Sequence, residues 1–238
     1  MIGYIHSFES LAAVDGDGVR FAVFLSGCPL RCIYCHNPDT WQRGGEAYTP
    51  EALVKKVRRY KPYFKSHGGV TFTGGEPMLQ GAFIADCVPL LQEAGIPYVI
   101  DTSGAVPLGD TEKYILSNAQ GVLLDLKFPN DASYRKHTGV SIENTLKTLA
   151  YLDGIGAPVT VKTVVIPGIN DREEMLSEYL SLIRETTCVR AYELLPFHTM
   201  GFFKYESLGI PNPLKDTPSL SHQRCDELQA FINQRLHK

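Results

Sequence analysis

The stretch RFAVFLSGCPLRCIYC, residues 20–35, joins an apolar run to three closely spaced cysteines. The first half, Arg20 to Gly27, carries the β-branched and aromatic side chains that favour a strand. Cys28, Cys32 and Cys35 follow with the spacing C-x3-C-x2-C, in a loop that we bound at residues 27–41. The sequence therefore predicts a strand that runs directly into a thiol-rich loop.

Five further strand-like runs follow, with helix-like segments between them; one of those helices is predicted to begin with Thr49 as its N-cap and Pro50 at its first position. Six βα units in a row predict an α/β fold with a parallel sheet. A closed eight-unit barrel usually needs about 250 residues. We therefore predict a partial, open (βα)6 TIM-type barrel in one domain, residues 1–238, with a C-terminal helix at about 218–237. The five runs are residues 68–75, 97–104, 121–128, 158–168 and 189–198.

Each predicted strand is apolar through its middle and polar at or near its carboxyl end. In barrels of parallel strands the active site lies on that rim. A single strand-end Asp or Ser more often serves a turn or a helix cap. Six strands that share the pattern instead predict one shared cavity. After the cysteine loop, its candidate residues are Gly74, Gly75, Glu76, Asp101, Thr102, Ser103, Asp125, Lys127, Lys162 and His198.

Composition narrows the class of protein. The net charge of −3 argues against a nucleic-acid binder that relies on a basic face. No apolar run is long enough for a membrane span, and the first residues lack the features of a signal peptide, so we expect a cytoplasmic protein. In a reducing compartment, clustered cysteines more often bind metal or catalyse than form disulfides. The isolated Cys87, Cys188 and Cys225 are predicted to be small buried side chains.

Three thiolates leave two kinds of metal site open. A structural zinc site usually has four protein ligands. His36 could be the fourth ligand, but it directly follows Cys35, and simultaneous ligation by both is geometrically awkward. A 4Fe–4S cluster normally takes four cysteines. With three, one iron keeps a position for a substrate, and the spacing favours this second interpretation.

These residues resemble the radical S-adenosylmethionine (radical SAM) enzymes. The resemblance rests on C-x3-C-x2-C with Tyr34 before the last cysteine and on the Gly-Gly-Glu-Pro motif at residues 74–77. The blocks IHSFESLAAVDGDGVRF, CHNPDTW, VTFTGGEPMLQ, DTSG, LLDLK, VVIPGIND and ELLPFH extend it over essentially the whole chain, in the order found in glycyl-radical-enzyme activases. No inserted ferredoxin-like segment with more cysteine clusters is present, which favours the type that acts on pyruvate formate-lyase.

The resemblance implies a set of cofactor contacts. Cys28, Cys32 and Cys35 would hold a 4Fe–4S cluster, and the amino and carboxylate groups of S-adenosylmethionine (SAM) would chelate the fourth iron. The turn of Gly74, Gly75 and Glu76 would receive the SAM amino group. Asp101, Thr102 and Asp125 would hold a monovalent cation, and Asp15 would meet the substrate peptide. The remaining SAM contacts would come from Tyr34, Cys35, His36, Asp125, Leu126, Lys127, Lys162, Val164 and His198.

The resemblance also implies a reaction and partners. The enzyme would cleave SAM reductively and install a glycyl radical on pyruvate formate-lyase or a related enzyme, as a monomer, with flavodoxin or ferredoxin as electron donor. Two other hypotheses remain: a radical SAM enzyme with a different substrate, and a non-catalytic zinc or iron–sulfur protein. Two positions depart from the family: Asp17 stands where a proline is usual, and Lys162 where arginine is frequent, which keeps the charge but loses the planar fork.

Overall fold

The computed structural model describes residues 1–13 and 16–236, so the predicted peptide contact Asp15 lies outside the described residues. Within those ranges the chain forms one sheet of eight strands. They are β1 (Gly3–Ala12), β2 (Arg20–Leu25), β3 (Glu46–Tyr48), β4 (Gly69–Gly74), β5 (Tyr98–Thr102), β6 (Gly121–Asp125), β7 (Val159–Val165) and β8 (Val189–Pro196).

The strand order is β3-β1-β2-β4-β5-β6-β7-β8. The strands β2 and β4 to β8 are parallel, as predicted, and the sheet does not close into a barrel. β1 and β3 were not predicted, and both run antiparallel to their neighbours. β1 mixes exposed polar and buried apolar residues, which is typical of a strand near the edge of a sheet.

Helices connect the strands of the sheet. Thr49 caps the first helix by accepting a hydrogen bond from the Ala52 amide at 3.2 Å, and Pro50 is its first residue, which confirms that prediction. The last helix is shorter than the predicted 218–237 because the Ser221 side chain caps its start. The helices are α1 (Pro50–Arg58), α2 (Lys61–Phe64), α3 (Gly81–Glu93), α4 (Asp110–Asn118), α5 (Asp131–Thr138), α6 (Glu143–Gly154), α7 (Glu173–Ile183), α8 (Phe202–Leu208) and α9 (His222–Asn233), with 3₁₀ turns at Pro38–Thr40 and Pro77–Gln80.

The middles of the strands form the core, and residues such as Val23, Phe72, Ile100 and Val161 are fully buried. Because the buried middles are apolar, the polar residues are left at the strand ends, and the carboxyl ends of the parallel strands share one rim. No helix of the described residues is both long and apolar enough to cross a bilayer.

The amino-terminal side of the sheet is braced by a buried arginine. Arg20 begins β2, and its guanidinium donates to the Val70 carbonyl at 2.6 Å, the Thr71 hydroxyl at 3.1 Å and the Gln120 side chain at 3.0 Å. These bonds tie β2 to β4 and to the turn before β6. These hydrogen bonds hold together the strands whose carboxyl ends form the rim.

Candidate active site

The polar strand ends and the cysteine loop surround one cavity of about 310 Å³. Parallel strands bring their carboxyl ends to one edge, so residues far apart in sequence meet there. The cavity is lined by Cys28, Cys32, Tyr34, Cys35, His36, Gly74, Gly75, Asp101, Asp125, Lys127, Lys162 and Val164, together with Phe24, Leu30, Asn37, Thr40, Trp41, Thr73, Ser103 and Leu195.

The cysteine loop is fixed by backbone hydrogen bonds at its two sides. Where it leaves β2, the Gly27 amide donates to the Thr40 carbonyl at 2.7 Å and the Cys28 amide to the Trp41 carbonyl at 3.1 Å. Farther along, the Arg31 amide donates to the Thr138 carbonyl at 2.7 Å at the end of α5. The three thiols are thus presented from a closed loop anchored on a helix.

Burial raises the pKa of the Cys28 thiol to about 12 and does the same for Cys32. It raises the pKa of Cys35 as well. Neutral thiols are therefore favoured until a cation binds, because a buried thiolate needs a compensating positive charge. Among the described residues, no group of three His, Cys, Asp or Glu side chains is placed to hold a single metal ion. The thiols of Cys28, Cys32 and Cys35 instead line one cavity.

The turn after β4 requires its glycines. Gly74 has φ +114°, and a Cβ there would lie 2.4 Å from the Leu25 carbonyl oxygen. A Cβ on Gly75 would lie 2.4 Å from the Gly27 carbonyl oxygen. The backbone amides of Gly75 and Glu76 donate to those two carbonyls at 2.8 Å each. The turn therefore packs directly on the start of the cysteine loop, with only backbone between them.

The Glu76 carboxylate is buried and accepts four hydrogen bonds. The Thr102 hydroxyl at 2.6 Å and the Met78 amide at 3.1 Å donate to one oxygen. The Ser103 amide at 2.9 Å and hydroxyl at 2.5 Å donate to the other. Burial raises the pKa of Glu76 against these bonds, which lower it. Glu76 thus ties the Gly-Gly turn to the end of β5, and it does not line the cavity.

Two lysines and two aspartates line the opposite part of the cavity. The Lys127 Nζ lies 2.8 Å from Asp125 Oδ2, and the Lys162 Nζ lies 3.5 Å from Asp101 Oδ2. Burial alone would raise the pKa of Asp125, but Lys127 and Lys162 together hold it below its usual value. The Thr73 hydroxyl donates to the same Asp101 oxygen at 2.9 Å. The cavity therefore contains charges of both signs, as a zwitterionic ligand would need.

Two histidines close one side of the site. The rings of His36 and His198 stack with centroids 3.9 Å apart, and His36 Nε2 lies 3.0 Å from the His198 carbonyl oxygen. Burial lowers the pKa of both rings, so both favour the neutral form. Within the described residues, His198 Nδ1 is buried without a hydrogen-bond partner. A bound ligand would offer that nitrogen a partner.

Comparison with known proteins decides between the metal sites. Residues 22–180 match the Radical SAM superfamily. The chain belongs to this superfamily. It is 41% identical over 238 residues to the pyruvate formate-lyase-activating enzyme of Clostridium pasteurianum, covering 99% of each chain. It is 36% identical over 241 residues to the pyruvate formate-lyase 1-activating enzyme of Escherichia coli strain K12, covering 100% of this chain and 98% of that protein.

A solved structure shares the fold. The crystal structure of Streptococcus suis SuiB bound to precursor peptide SuiA superposes with a TM-score of 0.68 at 18% identity. The match covers 90% of this chain and 46% of that one. Membership of the superfamily implies a 4Fe–4S cluster and SAM as cofactors. The three thiols around one cavity, the opposed charges and the buried His198 nitrogen fit both groups.

The structure does not place every predicted SAM or cation contact of this radical SAM protein on the cavity. Leu126 is fully buried, and its backbone amide donates to the Lys162 carbonyl of β7. Glu76, Thr102 and His198 adjoin the site but are not among the residues that line the cavity, so their contacts with SAM or a cation stay predictions. Ser103 lines the cavity as predicted from its strand end, whereas Thr73 and Trp41 line it but were not among the predicted contacts. Each adjoins a predicted motif in sequence, and that position is the signal that could have included them.

Proposed function

We propose that this radical SAM enzyme activates pyruvate formate-lyase by installing a glycyl radical. One observation carries the proposal: the cysteine loop, the Gly-Gly turn and the Asp125–Lys127 pair surround one cavity, in a chain that matches named activases from end to end. Cys28, Cys32 and Cys35 would hold the cluster, which, once reduced by an external donor, would supply the one electron needed to cleave SAM into methionine and a radical that takes a hydrogen atom from a glycine α-carbon.

In this proposal the chain's own residues orient SAM and exclude water. The backbone of Gly74 and Gly75 receives the SAM amino group, since a turn without side chains permits close approach. The ammonium of Lys127 binds the SAM carboxylate, and Asp125 accepts from the ribose hydroxyls. Val164 and the stacked His36 flank the adenine. None of these residues needs to act as a general acid or base.

The substrate approaches from the open side of the sheet. A second cavity of about 450 Å³ is lined by Gly16, Asp17, Val99 and Glu193, and it shares Leu195 with the first. The two cavities thus adjoin at Leu195. We propose that the substrate is a glycine in an extended protein loop, which the reaction requires, and that this loop reaches the SAM cavity through the gap in the unclosed sheet.

Asp15 is proposed to contact that loop, because its neighbours Ala13 and Gly16 line the second cavity. We expect Asp15→Asn to leave SAM binding nearly unchanged and to reduce glycyl radical formation. Titration with SAM and quantitative electron paramagnetic resonance (EPR) of the target enzyme measure the two quantities. Equal radical yields in the variant and the parent protein would contradict the assignment.

The proposed activity is tested under anaerobic conditions. The reconstituted protein is mixed with SAM, reduced flavodoxin and pyruvate formate-lyase, and the glycyl radical doublet is recorded by EPR. A doublet on pyruvate formate-lyase supports the proposal. SAM cleavage without that doublet, together with a doublet on a different glycyl radical enzyme, would assign the chain to the other target. We propose further that the chain acts as a monomer in the cytoplasm. Sedimentation of the reconstituted protein tests the oligomeric state.

A monovalent cation is proposed at Asp101, Thr102 and Asp125. The two carboxylates of this set both line the cavity, but Lys162 already lies beside Asp101 and lowers the pKa of Asp125. A fixed ammonium beside the site repels an incoming cation. We therefore infer that Lys162 weakens cation binding at this position.

This inference predicts an altered salt requirement in Lys162→Gln. Removing the ammonium should raise the apparent affinity for potassium by about tenfold or more, since two unit charges a few ångströms apart interact by several kcal/mol at an effective dielectric constant of 20. Lys162→Arg is the control and should leave the requirement unchanged. The measurement is the rate of SAM cleavage against potassium concentration at constant ionic strength. A potassium dependence that is the same in both variants would rule out a cation at these residues.

A further inference from the structure

The outer side of the cysteine loop carries an exposed apolar patch. Tyr4 is 36% exposed and Leu79 is 46% exposed, although both are large hydrophobic residues. A Cβ on Gly27 would lie 3.7 Å from Leu79 Cδ1 and 4.0 Å from Arg43 Cβ, so these two side chains flank the start of the loop. The Arg43 guanidinium lies over the Tyr4 ring, 4.8 Å from its centroid. The patch is thus assembled at the first cluster cysteine.

A second arginine lies on the other flank of the loop. The Arg31 guanidinium donates to the Cys28 carbonyl at 2.8 Å and lies over the Trp41 ring, 4.9 Å from its centroid. Trp41 also lines the cluster cavity, and its carbonyl accepts from the Cys28 amide. The indole therefore separates the cavity from an arginine at the surface. We call Tyr4, Arg31, Trp41, Arg43 and Leu79 the outer arginine face.

The charge of this face opposes that of the whole chain. The chain has a net charge of −3, yet the face presents two exposed guanidinium groups. The carboxylate of Asp39 nearby is already paired, with Lys204 Nζ at 2.9 Å and His6 Nε2 at 3.1 Å. An apolar centre with a basic rim is the composition of a transient protein-docking surface for an acidic partner.

We propose that an acidic one-electron carrier protein docks on the outer arginine face and reduces the cluster there. The inference rests on the proposed function, because it assigns the surface through which that reaction receives its electron. The reduced carrier would give up one electron and become oxidised. The cluster would accept that electron and become reduced. No covalent bond of this chain forms or breaks.

The open side of the sheet is a poor site for such a carrier. Asp17 and Glu193 line the cavity there and would repel an acidic protein. The cysteine loop also lies between the outer arginine face and the SAM cavity, so a carrier on the outer face would not block the substrate. Donor and substrate can therefore occupy the enzyme together.

The test compares two charge-reversal pairs. Arg31→Glu with Arg43→Glu changes the face, and Arg58→Glu with Arg190→Glu makes the same charge change at exposed positions at the end of α1 and the start of β8. Each protein is reconstituted, and the bleaching of the cluster absorbance by fully reduced flavodoxin is followed by stopped flow at low salt. The rate of cluster reduction in the face variant should be lower by about tenfold or more, since electrostatic steering contributes 10- to 1,000-fold to association rates. The control pair should change much less, and added salt should slow the parent more than the face variant.

A small neutral reductant, photoreduced deazaflavin, separates docking from the rest of the reaction. With it, all proteins should reach the same degree of cluster reduction and cleave SAM equally. If flavodoxin reduces the face variant as fast as the control pair, the proposal is wrong. If the rates differ as expected but no glycyl radical forms with deazaflavin, the docking surface stands and the proposed function fails.

Arg31 braces the Cys28 carbonyl, so the double variant can lose iron for a structural reason. A second variant keeps the test decisive: Arg43→Glu combined with Leu79→Ser, with Arg31 retained. These two side chains belong to the face but make no hydrogen bond to the Cys28 carbonyl. Iron content and the SAM titration should match the parent. An unchanged flavodoxin rate in this second variant, with full iron content, would overturn the proposal.

Discussion

Cys35→Ala is expected to give a folded protein that assembles no stable 4Fe–4S cluster and cleaves no SAM. The thiol of Cys35 lines the cavity with those of Cys28 and Cys32. All three are needed, because three thiolates hold three irons of the cluster and leave the fourth for SAM. The loop is held by backbone bonds and not by the thiol, so circular dichroism should show native secondary structure. Iron and sulfide analysis after anaerobic reconstitution, with chromatography of methionine and 5′-deoxyadenosine, measures the loss.

Cys87→Ala is the matched control. Cys87 is fully buried in α3, and burial raises its thiol pKa to about 12 as it does at Cys28. The substitution should cost about 1 kcal/mol of unfolding free energy and leave iron content and SAM cleavage intact. A protein that lost its cluster in Cys87→Ala and kept it in Cys35→Ala would show that the ligands have been misassigned.

Glu76→Gln is expected to reduce stability and SAM affinity together, with the cluster retained. Each carboxylate oxygen accepts from one backbone amide, of Met78 or of Ser103. Whichever oxygen becomes the NH₂ group of glutamine, it will face a fixed N–H donor. A buried donor left without an acceptor costs about 1–3 kcal/mol. The Gly-Gly turn should shift, and SAM affinity should fall by about tenfold or more, since 1.4 kcal/mol is a factor of ten in binding.

Urea unfolding and calorimetric titration with SAM measure the two effects of Glu76→Gln. Glu143→Gln is the control, because Glu143 is exposed and pairs only with Lys147 across one turn of α6, an interaction of about 0.5 kcal/mol or less. Lower stability with full SAM affinity would limit Glu76 to a structural role. If neither quantity changes, the four hydrogen bonds do not form in solution.

The rim of the sheet could be predicted from sequence because parallel strands have one polarity. Once Asp125 and Lys162 are assigned to the carboxyl halves of neighbouring parallel strands, their proximity follows, and the register does place them opposite each other. The direction of a side chain does not follow in the same way. The Thr102 and Ser103 hydroxyls at the end of β5 hold the Glu76 carboxylate, and its contact with SAM stays a prediction. That choice depends on packing between strands, which no local motif encodes.

The antiparallel strands were missed for a related reason. β1 mixes polar and apolar residues without a regular period of two, so no strand pattern could be recognised there. Its pairing with β2 includes two register shifts, at Ile5/Ser7 and Ser10/Ala12, which depend on both strands. The roles of Trp41 likewise depend on Arg31 and on the cavity. Contacts of this kind can be recognised only after the chain is folded.

The anchoring of the cysteine loop has a consequence for survival in air. The loop is tied to the fold through backbone bonds at Thr40, Trp41 and Thr138, and its Leu30 and Tyr34 side chains pack in the core. Oxygen attacks exposed iron–sulfur clusters. Here it would destroy the cluster but leave the protein folded. We expect the cell to repair such molecules by reloading iron and sulfide instead of synthesising new protein.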